Sequence, residues 1–316
     1  MKVLVTGCAG FIGSTLSERL IKEGFTVIGI DSLNDTYDRK IKMNNISNLL
    51  PNNNFEFINK NIIGTNIREL IRDIDSVFHQ AATAGVRSSW GNSFNEYVEN
   101  NINATQYLLE NIKDKKLRRF IFASSSSVYG DSTEYPSRIT TLTRPVSPYG
   151  VTKLSSENLV YAYSRNYNIP SVSLRYFTVY GPRQRPDMGF HKFLMSAINN
   201  NIITIYGDGN QTRDFTYIDD IVEANILSLN SLNIGSIYNI GGGNVISINE
   251  TLNLIEQITS RKLQIEYTDK HKGDVLKTQA NIIESTNDLN YKPVFDIKTG
   301  LEKQYTYIKE NINLYS

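Results

Sequence analysis

A tyrosine and a lysine, four residues apart in Tyr149-Gly-Val-Thr-Lys153, form the pair most suggestive of chemistry. On a helix this spacing places the phenol and the ammonium on one face. A nearby cation stabilises phenolate and lowers the pKa of a tyrosine, which can then take a proton from a substrate alcohol. On its own the pattern is also typical of a surface helix, so its meaning depends on the sequence around it.

Four consecutive serines, Ser124–Ser127, directly follow a β-branched and aromatic run, Arg119–Ala123, that predicts a strand. In parallel α/β sheets, ligands bind at the carboxyl ends of the strands. One of these hydroxyls can therefore share the substrate proton with Tyr149. The alternative, a serine-rich turn, fits some of the four.

The amino-terminal segment contains the glycine pattern G-x-x-G-x-x-G at Gly7, Gly10 and Gly13, between a predicted strand and a predicted helix. Such glycines allow backbone N–H groups at the positive end of a helix to approach a pyrophosphate. Asp31 ends the next strand, where its carboxylate can accept both hydroxyls of an adenosine ribose and would repel a 2′-phosphate. The segment therefore predicts NAD rather than NADP, the alternative being a tight turn alone. Cys8 within the loop is more typical of a space-filling residue than of a nucleophile.

The composition excludes several classes of protein. The 33 Lys and Arg residues nearly balance 32 Asp and Glu residues, which leaves no basic surface typical of nucleic-acid binding. One cysteine and three widely separated histidines predict neither a disulfide framework nor a metal site. No apolar run is long enough for a signal peptide or for the roughly 18 residues of a membrane span. We expect a cytoplasmic protein that binds no metal, nucleic acid or membrane.

The first half of the chain alternates short β-branched runs with helical periodicity, which predicts a Rossmann-type, doubly wound parallel sheet in an α/β fold. The predicted strands are Lys2–Thr6, Thr26–Ile30, Phe55–Asn59, Ser76–His79, Arg119–Ala123 and Ser171–Tyr176, and the predicted helices are Phe11–Lys22, Asn101–Asn111 and Tyr149–Asn166. After Gly181 the pattern loosens into shorter elements. We expect residues 1–177 to form a dinucleotide-binding domain, with some later segments returning to it, and residues 178–316 a smaller mixed α/β substrate-binding region.

With these residues in place, the chain resembles the extended short-chain dehydrogenase/reductases, and among them the NAD-dependent nucleotide-sugar epimerases and dehydratases. The resemblance runs almost from end to end. The motifs that carry it are T-G-x-x-G-F-I-G, H-x-A-A at His79–Ala82, S-S-x-V-Y-G at Ser125–Gly130, S-P-Y-G-x-x-K at Ser147–Lys153, L-R-Y-F at Leu174–Phe177, G-D-G-x-x-x-R-D-F at Gly207–Phe215, Y-N-I-G-G-G at Tyr238–Gly243 and G-D-V at Gly273–Val275.

The resemblance implies that Ser125, Tyr149 and Lys153 are the catalytic residues. In the family, 4,6-dehydratases carry Asp-Glu at the two positions after the catalytic Ser or Thr, and UDP-glucuronate decarboxylases usually carry a glutamate at the second. Here both positions are serine, Ser126 and Ser127. The resemblance therefore implies epimerisation.

Three local patterns resemble those of UDP-glucuronate 4-epimerases: Asp31–Asp38 after the second strand, Thr178 where most relatives have asparagine, and Arg185-Pro-Asp-Met188. An arginine can bind a carboxylate through two charge-assisted hydrogen bonds, and a threonine hydroxyl can add a third. The alternative for Arg185 is a surface arginine in a polar loop. The implied reaction interconverts UDP-glucuronate and UDP-galacturonate through a 4-keto intermediate.

The resemblance also implies which residues bind NAD, held tightly and regenerated in each cycle, and which bind the UDP-sugar. The cofactor set is Gly7, Gly10, Phe11, Ile12, Gly13, Asp31, Asn34, Asn61, Ile62, Gln80, Ala81, Ala82, Asn101, Ser124, Tyr149, Lys153 and Tyr176. The substrate set is Arg87, Ser126, Ser127, Thr178, Arg185, Thr204, Tyr206, Gln211, Arg213 and Asp274. Two positions depart from many relatives: Asn61 replaces an aspartate, and His271 replaces an arginine.

Other functions remain open at the level of sequence. The first is a 4-epimerase of UDP-glucose or UDP-N-acetylglucosamine, which Thr178 and Arg185 argue against. The second is a UDP-glucuronate decarboxylase, and a third is a non-catalytic NAD-sensing regulator, in which the loss of Tyr149 or Lys153 would be expected. By resemblance we also expect a homodimer joined through the helices Asn101–Asn111 and Tyr149–Asn166.

Overall fold

A seven-stranded parallel sheet forms the centre of the molecule, which a computed structural model describes over residues 1–270 and 273–315. The strands are β1 Lys2–Thr6, β2 Thr26–Asp31, β3 Phe55–Asn59, β4 Ser76–His79, β5 Arg119–Ser125, β6 Ser171–Tyr176, β7 Val179–Tyr180, β8 Ile203–Tyr206, β9 Thr212–Tyr217, β10 Ser236–Ile240, β11 Asn244–Ser247 and β12 Ile265–Thr268. The large sheet has the order β10-β6-β5-β4-β1-β2-β3, and every pairing in it is parallel. The predicted Rossmann-type sheet is confirmed.

Helices cover both faces of this sheet. They are α1 Phe11–Lys22, α2 Arg39–Ile46, α3 Ile67–Leu70, α4 Phe94–Tyr97, α5 Ala104–Ile112, α6 Pro148–Tyr167, α7 Gly189–Asn199, α8 Ile218–Ser228, α9 Ile248–Thr259, α10 Ile283–Leu289 and α11 Ile297–Glu310. Val3 and Val5 of β1 pack in one hydrophobic cluster with α1 and α8, while Leu4 packs in a second cluster with α5 and α6. Because alternate side chains of a strand point to opposite faces, β1 is buried on both sides, as its continuous apolar sequence predicts. Within the described ranges, no helix is both long and apolar enough to cross a membrane.

Two small sheets flank one end of the large one. One has the order β11-β9-β7, with β9 antiparallel to β11 and parallel to β7, and the other pairs β12 with β8 in parallel. Asp214 of β9 ties the small sheets to the large one, because its carboxylate accepts hydrogen bonds from the backbone N–H groups of Gly242 (3.2 Å), Gly243 (3.0 Å) and Ala280 (2.9 Å). The glycine run after β10 therefore folds around a single buried carboxylate.

The long helix α6 begins at Pro148, one residue before its predicted start. The Ser147 hydroxyl accepts a hydrogen bond from the Gly150 N–H at 3.1 Å, Pro148 occupies the first turn, and Asn168 ends the helix in a left-handed conformation. Farther along the helix, the Glu157 carboxylate pairs with Arg175 of β6 at 2.6 Å. Both side chains are almost fully buried, with 3% and 4% of their surface exposed. This pair fixes the helix against the sheet.

The second of the three predicted helices differs from the structure at its start. The predicted helix Asn101–Asn111 starts within a π-helical segment, Val98–Asn103, and continues as α5. A π-helix accommodates an extra residue in the turn. The side-chain amide of Asn101 is thereby turned inward, where it bonds to the backbone of Thr83 and to the hydroxyl of Thr152.

We expect Glu157→Leu to lower the free energy of unfolding by about 3–5 kcal/mol, because it leaves the buried guanidinium of Arg175 without its counter-ion. Urea denaturation followed by circular dichroism measures the change. Glu23→Gln is the matched control, since it breaks a half-exposed pair with Arg19 and should cost less than about 1 kcal/mol. Equal effects of the two substitutions would contradict an anchoring role for the Glu157–Arg175 pair.

Candidate active site

A crevice of about 1430 Å³ runs along the carboxyl edge of the large sheet and continues between it and the smaller sheets. It brings together all the residues assigned from sequence to catalysis and to the substrate, and all but one of those assigned to the cofactor. The exception is Asn101, whose side chain is buried beneath the crevice against Thr83 and Thr152. His271 lies outside the described residues.

The glycine loop after β1 forms one end of the crevice. Gly7 has φ +68°, and a Cβ there would lie 2.8 Å from the Ala81 Cα; a Cβ on Gly13 would overlap the Gly7 carbonyl oxygen. Helix α1 begins at Phe11 with no capping side chain, so its positive end faces the crevice. This arrangement suits a phosphate group. Cys8 is buried, and burial raises the pKa of its thiol, as expected of a space-filling residue.

Asp31 is held at the end of β2 by two backbone donors. One carboxylate oxygen accepts from the Ala9 N–H at 3.0 Å, and the other accepts from the Leu33 N–H at 2.8 Å. Each carboxylate oxygen has further lone pairs, which remain available to the hydroxyls of a bound ribose. The geometry therefore suits an unphosphorylated ribose.

Tyr149 lies in the middle of the crevice, with its ring 6.3 Å from that of Tyr97 in an edge-on arrangement. Burial raises the pKa of the Tyr149 phenol, while the Ser125 hydroxyl and the positive charge of Arg185 act to lower it. The phenol therefore depends on neighbouring donors and cations to lose its proton.

Lys153 lies one turn further along α6 and is almost completely buried, with its ammonium 4.6 Å from the centroid of the Phe122 ring. Burial lowers its pKa to about 7, against the opposing effect of the Glu157 carboxylate. His79 beneath it stays neutral, because burial and the Lys153 charge lower its pKa to about 3. The lysine can thus gain or lose a proton near neutral pH.

Arg185 reaches the crevice from the loop between β7 and α7. Its Nε and Nη2 atoms bind the two carboxylate oxygens of Asp187 at 2.9 and 2.5 Å, and Nη2 also donates to the Ala84 carbonyl at 2.9 Å. Burial lowers the pKa of Arg185, but the bond to Asp187 and its negative charge raise it more. The guanidinium is therefore positively charged and already holds one carboxylate.

At the other end of the crevice, Arg87 bridges the two parts of the molecule. Its Nη2 atom lies 2.7 Å from the Asp274 carboxylate, and its guanidinium lies over the Tyr206 ring at 4.2 Å. Arg213 donates to the carbonyl of Thr212 at 2.9 Å. A planar cation, an aromatic ring and a second arginine together suit a nucleotide base and its phosphates.

Sequence reasoning missed some of the residues on which the site depends. Glu157 follows Lys153 by four residues, and this helical spacing was a usable signal. Asp187 was quoted as part of a motif but given no role. Tyr37 also lines the crevice near Asp31 and Arg185. It lies within the Asp31–Asp38 pattern, which was a usable signal, although it was not assigned to the site.

No group of three or more His, Cys, Asp or Glu side chains within residues 1–270 and 273–315 is arranged to hold a metal ion. The chemistry available to the described residues is proton transfer through Tyr149, Lys153 and Ser125, next to a cradle for a dinucleotide.

Comparison with known proteins agrees with this geometry. Residues 3–241 match the NAD dependent epimerase/dehydratase family. The chain is 44% identical to the uncharacterized UDP-glucose epimerase YtcB of Bacillus subtilis, over 98% of each chain, and 42% identical to a UDP-glucuronate 4-epimerase of Thermodesulfobacterium geofontis, over 98% of this chain and 97% of the relative. Among solved structures, a UDP-glucuronic acid 4-epimerase from Bacillus cereus in complex with UDP-glucuronic acid and NAD superposes with a TM-score of 0.96. It is 44% identical, over 98% of this chain and all of that one.

We expect Lys153→Met to remove a pH dependence of stability in the nucleotide-free protein. An unfolded lysine has a pKa of about 10.4, so between about pH 7 and pH 10 the unfolded chain binds one more proton than the folded chain. Wild-type stability should therefore rise relative to the variant by about 2 kcal/mol from pH 7 to pH 9. Burial raises the pKa of Tyr149 above its usual value of about 10, so the phenol adds no slope in this range.

Urea titrations of both proteins at pH 7, 8 and 9 measure this difference. Parallel stability curves for the wild type and the variant would contradict a lowered pKa of Lys153.

Proposed function

The chain belongs to the NAD dependent epimerase/dehydratase family, and from its site we propose that it epimerises UDP-glucuronate at C4 to give UDP-galacturonate. The observation that carries the proposal is the position of Arg185. Its guanidinium lies in the same crevice as Tyr149 and close enough to influence the ionisation of the phenol. A cation beside the catalytic base suits a sugar that carries a carboxylate next to its reacting carbon.

The residues of the crevice fit NAD as the cofactor. A Cβ at Gly7 would collide with the Ala81 backbone and one at Gly13 with the Gly7 carbonyl, so the two glycines permit the tight turn that brings backbone N–H groups towards a pyrophosphate. Asp31 presents a fixed carboxylate where an adenosine ribose would lie. NAD, when bound, supplies the hydride acceptor and donor for C4 of the sugar.

The chain's own residues control the proton on O4. Tyr149 removes this proton as phenolate and returns it to the other face of the sugar in the second half of the reaction. Lys153 stabilises the phenolate from one turn along α6, and the Ser125 hydroxyl lies beside the phenol to bind the same oxygen. Burial raises the pKa of Tyr149, and the charge of Arg185 acts to lower it. In our proposal the Lys153 ammonium adds to this effect.

The substrate brings a hazard that Arg185 and Thr178 counter. A 4-keto uronate is a β-keto acid, and it loses CO₂ when its carboxylate bond lies perpendicular to the carbonyl plane. We infer that Arg185 and Thr178 hold the carboxylate near this plane. Ser126 and Ser127 add no acid that could assist elimination or decarboxylation.

The nucleotide is assigned to the other end of the crevice. Arg213 would bind the diphosphate, Tyr206 would lie against the uracil and Asp274 would bind the ribose, with further contacts from Arg87, Thr204 and Gln211. In this assignment residues 1–177 hold NAD and residues 178–316 hold the sugar nucleotide. Strand β10 supports an intertwined division, because it belongs to the large sheet although it follows β7, β8 and β9 in the chain.

We also infer a cytoplasmic homodimer. Helix α6 exposes the apolar side chains of Val151 and Tyr161, 43% and 50% of whose surface is accessible. Such an apolar face is typical of a helix that packs against a second copy. Light scattering that gives twice the chain mass of 35.8 kDa would support the dimer.

We expect the purified protein to convert UDP-glucuronate to UDP-galacturonate without added NAD, as followed by NMR. Tyr149→Phe should lower kcat by about 10²–10⁴-fold, because it removes the group that transfers the proton. Turnover of UDP-glucose alone would favour the neutral-sugar alternative, and UDP-xylose with CO₂ would favour a decarboxylase. No turnover of any of these nucleotides would favour a regulator.

Arg185→Ala should raise the KM for UDP-glucuronate by about 10–100-fold, the loss expected for charge-assisted hydrogen bonds. It should also release some UDP-pentose and CO₂, because the carboxylate is no longer held. Arg183→Ala is the control on the same loop, since Arg183 pairs with Glu18 at 2.6 Å and lies outside the crevice lining. Unchanged kinetics in Arg185→Ala would remove Arg185 from the site.

A further inference from the structure

The Nε and Nη2 edge of the Arg185 guanidinium is not free for a bidentate hydrogen bond to a substrate carboxylate. Of its five N–H donors, three are directed to the two Asp187 oxygens and the Ala84 carbonyl. The Nε and Nη2 edge of the guanidinium is therefore occupied, and the two N–H groups of Nη1 remain to bind a substrate. A second carboxylate must either accept a single-nitrogen contact or displace Asp187.

The backbone of the loop that carries both residues is fixed. The buried Gln184 side chain donates to the Val179 carbonyl at 2.9 Å and accepts from the His191 N–H at 2.9 Å. Gln304 of α11 donates to Gln184 at 2.8 Å and accepts from the Gly181 N–H at 3.0 Å. Any change in the pairing of Arg185 is therefore a movement of side chains and not of the loop.

Asp187, in contrast, has room to move and is reachable from the crevice. Its side chain is 44% exposed and lines the crevice, whereas that of Arg185 is 14% exposed. Lys192 is a second cation close enough to stabilise its charge. The Tyr37 phenol is close enough to Arg185 and Asp187 to be affected by the charges of both. An anionic sugar that approaches Arg185 meets this carboxylate as a like charge.

We propose that Asp187 is a positioning residue that sets the selectivity of the site for an anionic sugar, by neutralising Arg185 until a substrate carboxylate takes its place. The inference rests on the proposed function. Asp187 holds Arg185 extended along the crevice and limits the affinity for uronates, because the arriving carboxylate competes with it. A neutral sugar does not compete with Asp187 for Arg185, so its affinity depends little on this carboxylate.

The substitution Asp187→Asn isolates the charge, because asparagine keeps an oxygen acceptor for Arg185 and has nearly the same shape. We expect the Kd of the NAD-loaded protein for UDP-glucuronate to fall by roughly 3–10-fold. This is the change in affinity that corresponds to the free energy of a partly exposed ion pair. The Kd for UDP-glucose should change by less than about twofold. The KM for UDP-glucuronate should fall by a similar factor, a larger change than that in kcat, because uniform binding has been strengthened.

Calorimetric titration of both nucleotides measures these constants independently of turnover. Glu18→Gln is the matched control, because it removes the same charge from the partner of Arg183 outside the crevice lining and should leave both constants unchanged. A higher or unchanged Kd for UDP-glucuronate in Asp187→Asn, or an equal gain for UDP-glucose, would overturn the inference. Failure of the wild type to turn over UDP-glucuronate would overturn the proposed function separately.

Discussion

The buried ion pair between Glu157 and Arg175 is the constraint on which the site depends. It joins α6 to β6, and the Ser124 hydroxyl at the end of β5 donates to the same carboxylate at 2.6 Å. Three elements that supply active-site residues are therefore locked in one arrangement. Lys153 lies one turn before Glu157 on the helix, so the anchor that fixes the helix also opposes the loss of the lysine's proton. The Glu157 carboxylate thus influences both the position of α6 and the protonation of Lys153.

The cost of ionising a buried phenol explains how positive charge is distributed around Tyr149. A buried phenol can ionise only where nearby cations offset the cost of desolvation. Arg185 acts on the Tyr149 phenol in this way, and Lys153 lies one turn along the same helix. Each of these cations has one carboxylate close by, Glu157 for the lysine and Asp187 for the arginine. The carboxylates lower the cost of burying the cations without directly facing the phenol.

Much of the fold could be predicted from the sequence, because short strand segments alternate with helical patterns. The predicted bounds of Lys2–Thr6 and Ser171–Tyr176, both almost fully buried strands, are those of the structure. The closeness of Tyr149 and Lys153 was also predictable, since helical spacing places the two residues on one face. The π-helical turn at Val98–Asn103 was not, because it depends on tertiary packing. Nor were the Arg87–Asp274 and Arg185–Asp187 pairs: which carboxylate meets an arginine is decided by how loops dock.

Two arginine–carboxylate pairs of the same chemistry therefore behave differently because of burial. In the Arg175–Glu157 pair both side chains are at most 4% exposed, so neither partner can exchange for water or for a ligand without leaving a bare charge in the interior. In the Arg185–Asp187 pair the arginine is enclosed and the carboxylate is 44% exposed. Water can solvate the released carboxylate, and the enclosed arginine then needs another anion. Burial on one side only thus makes an ion pair exchangeable, which is the property that a recognition site requires and that a structural anchor must lack.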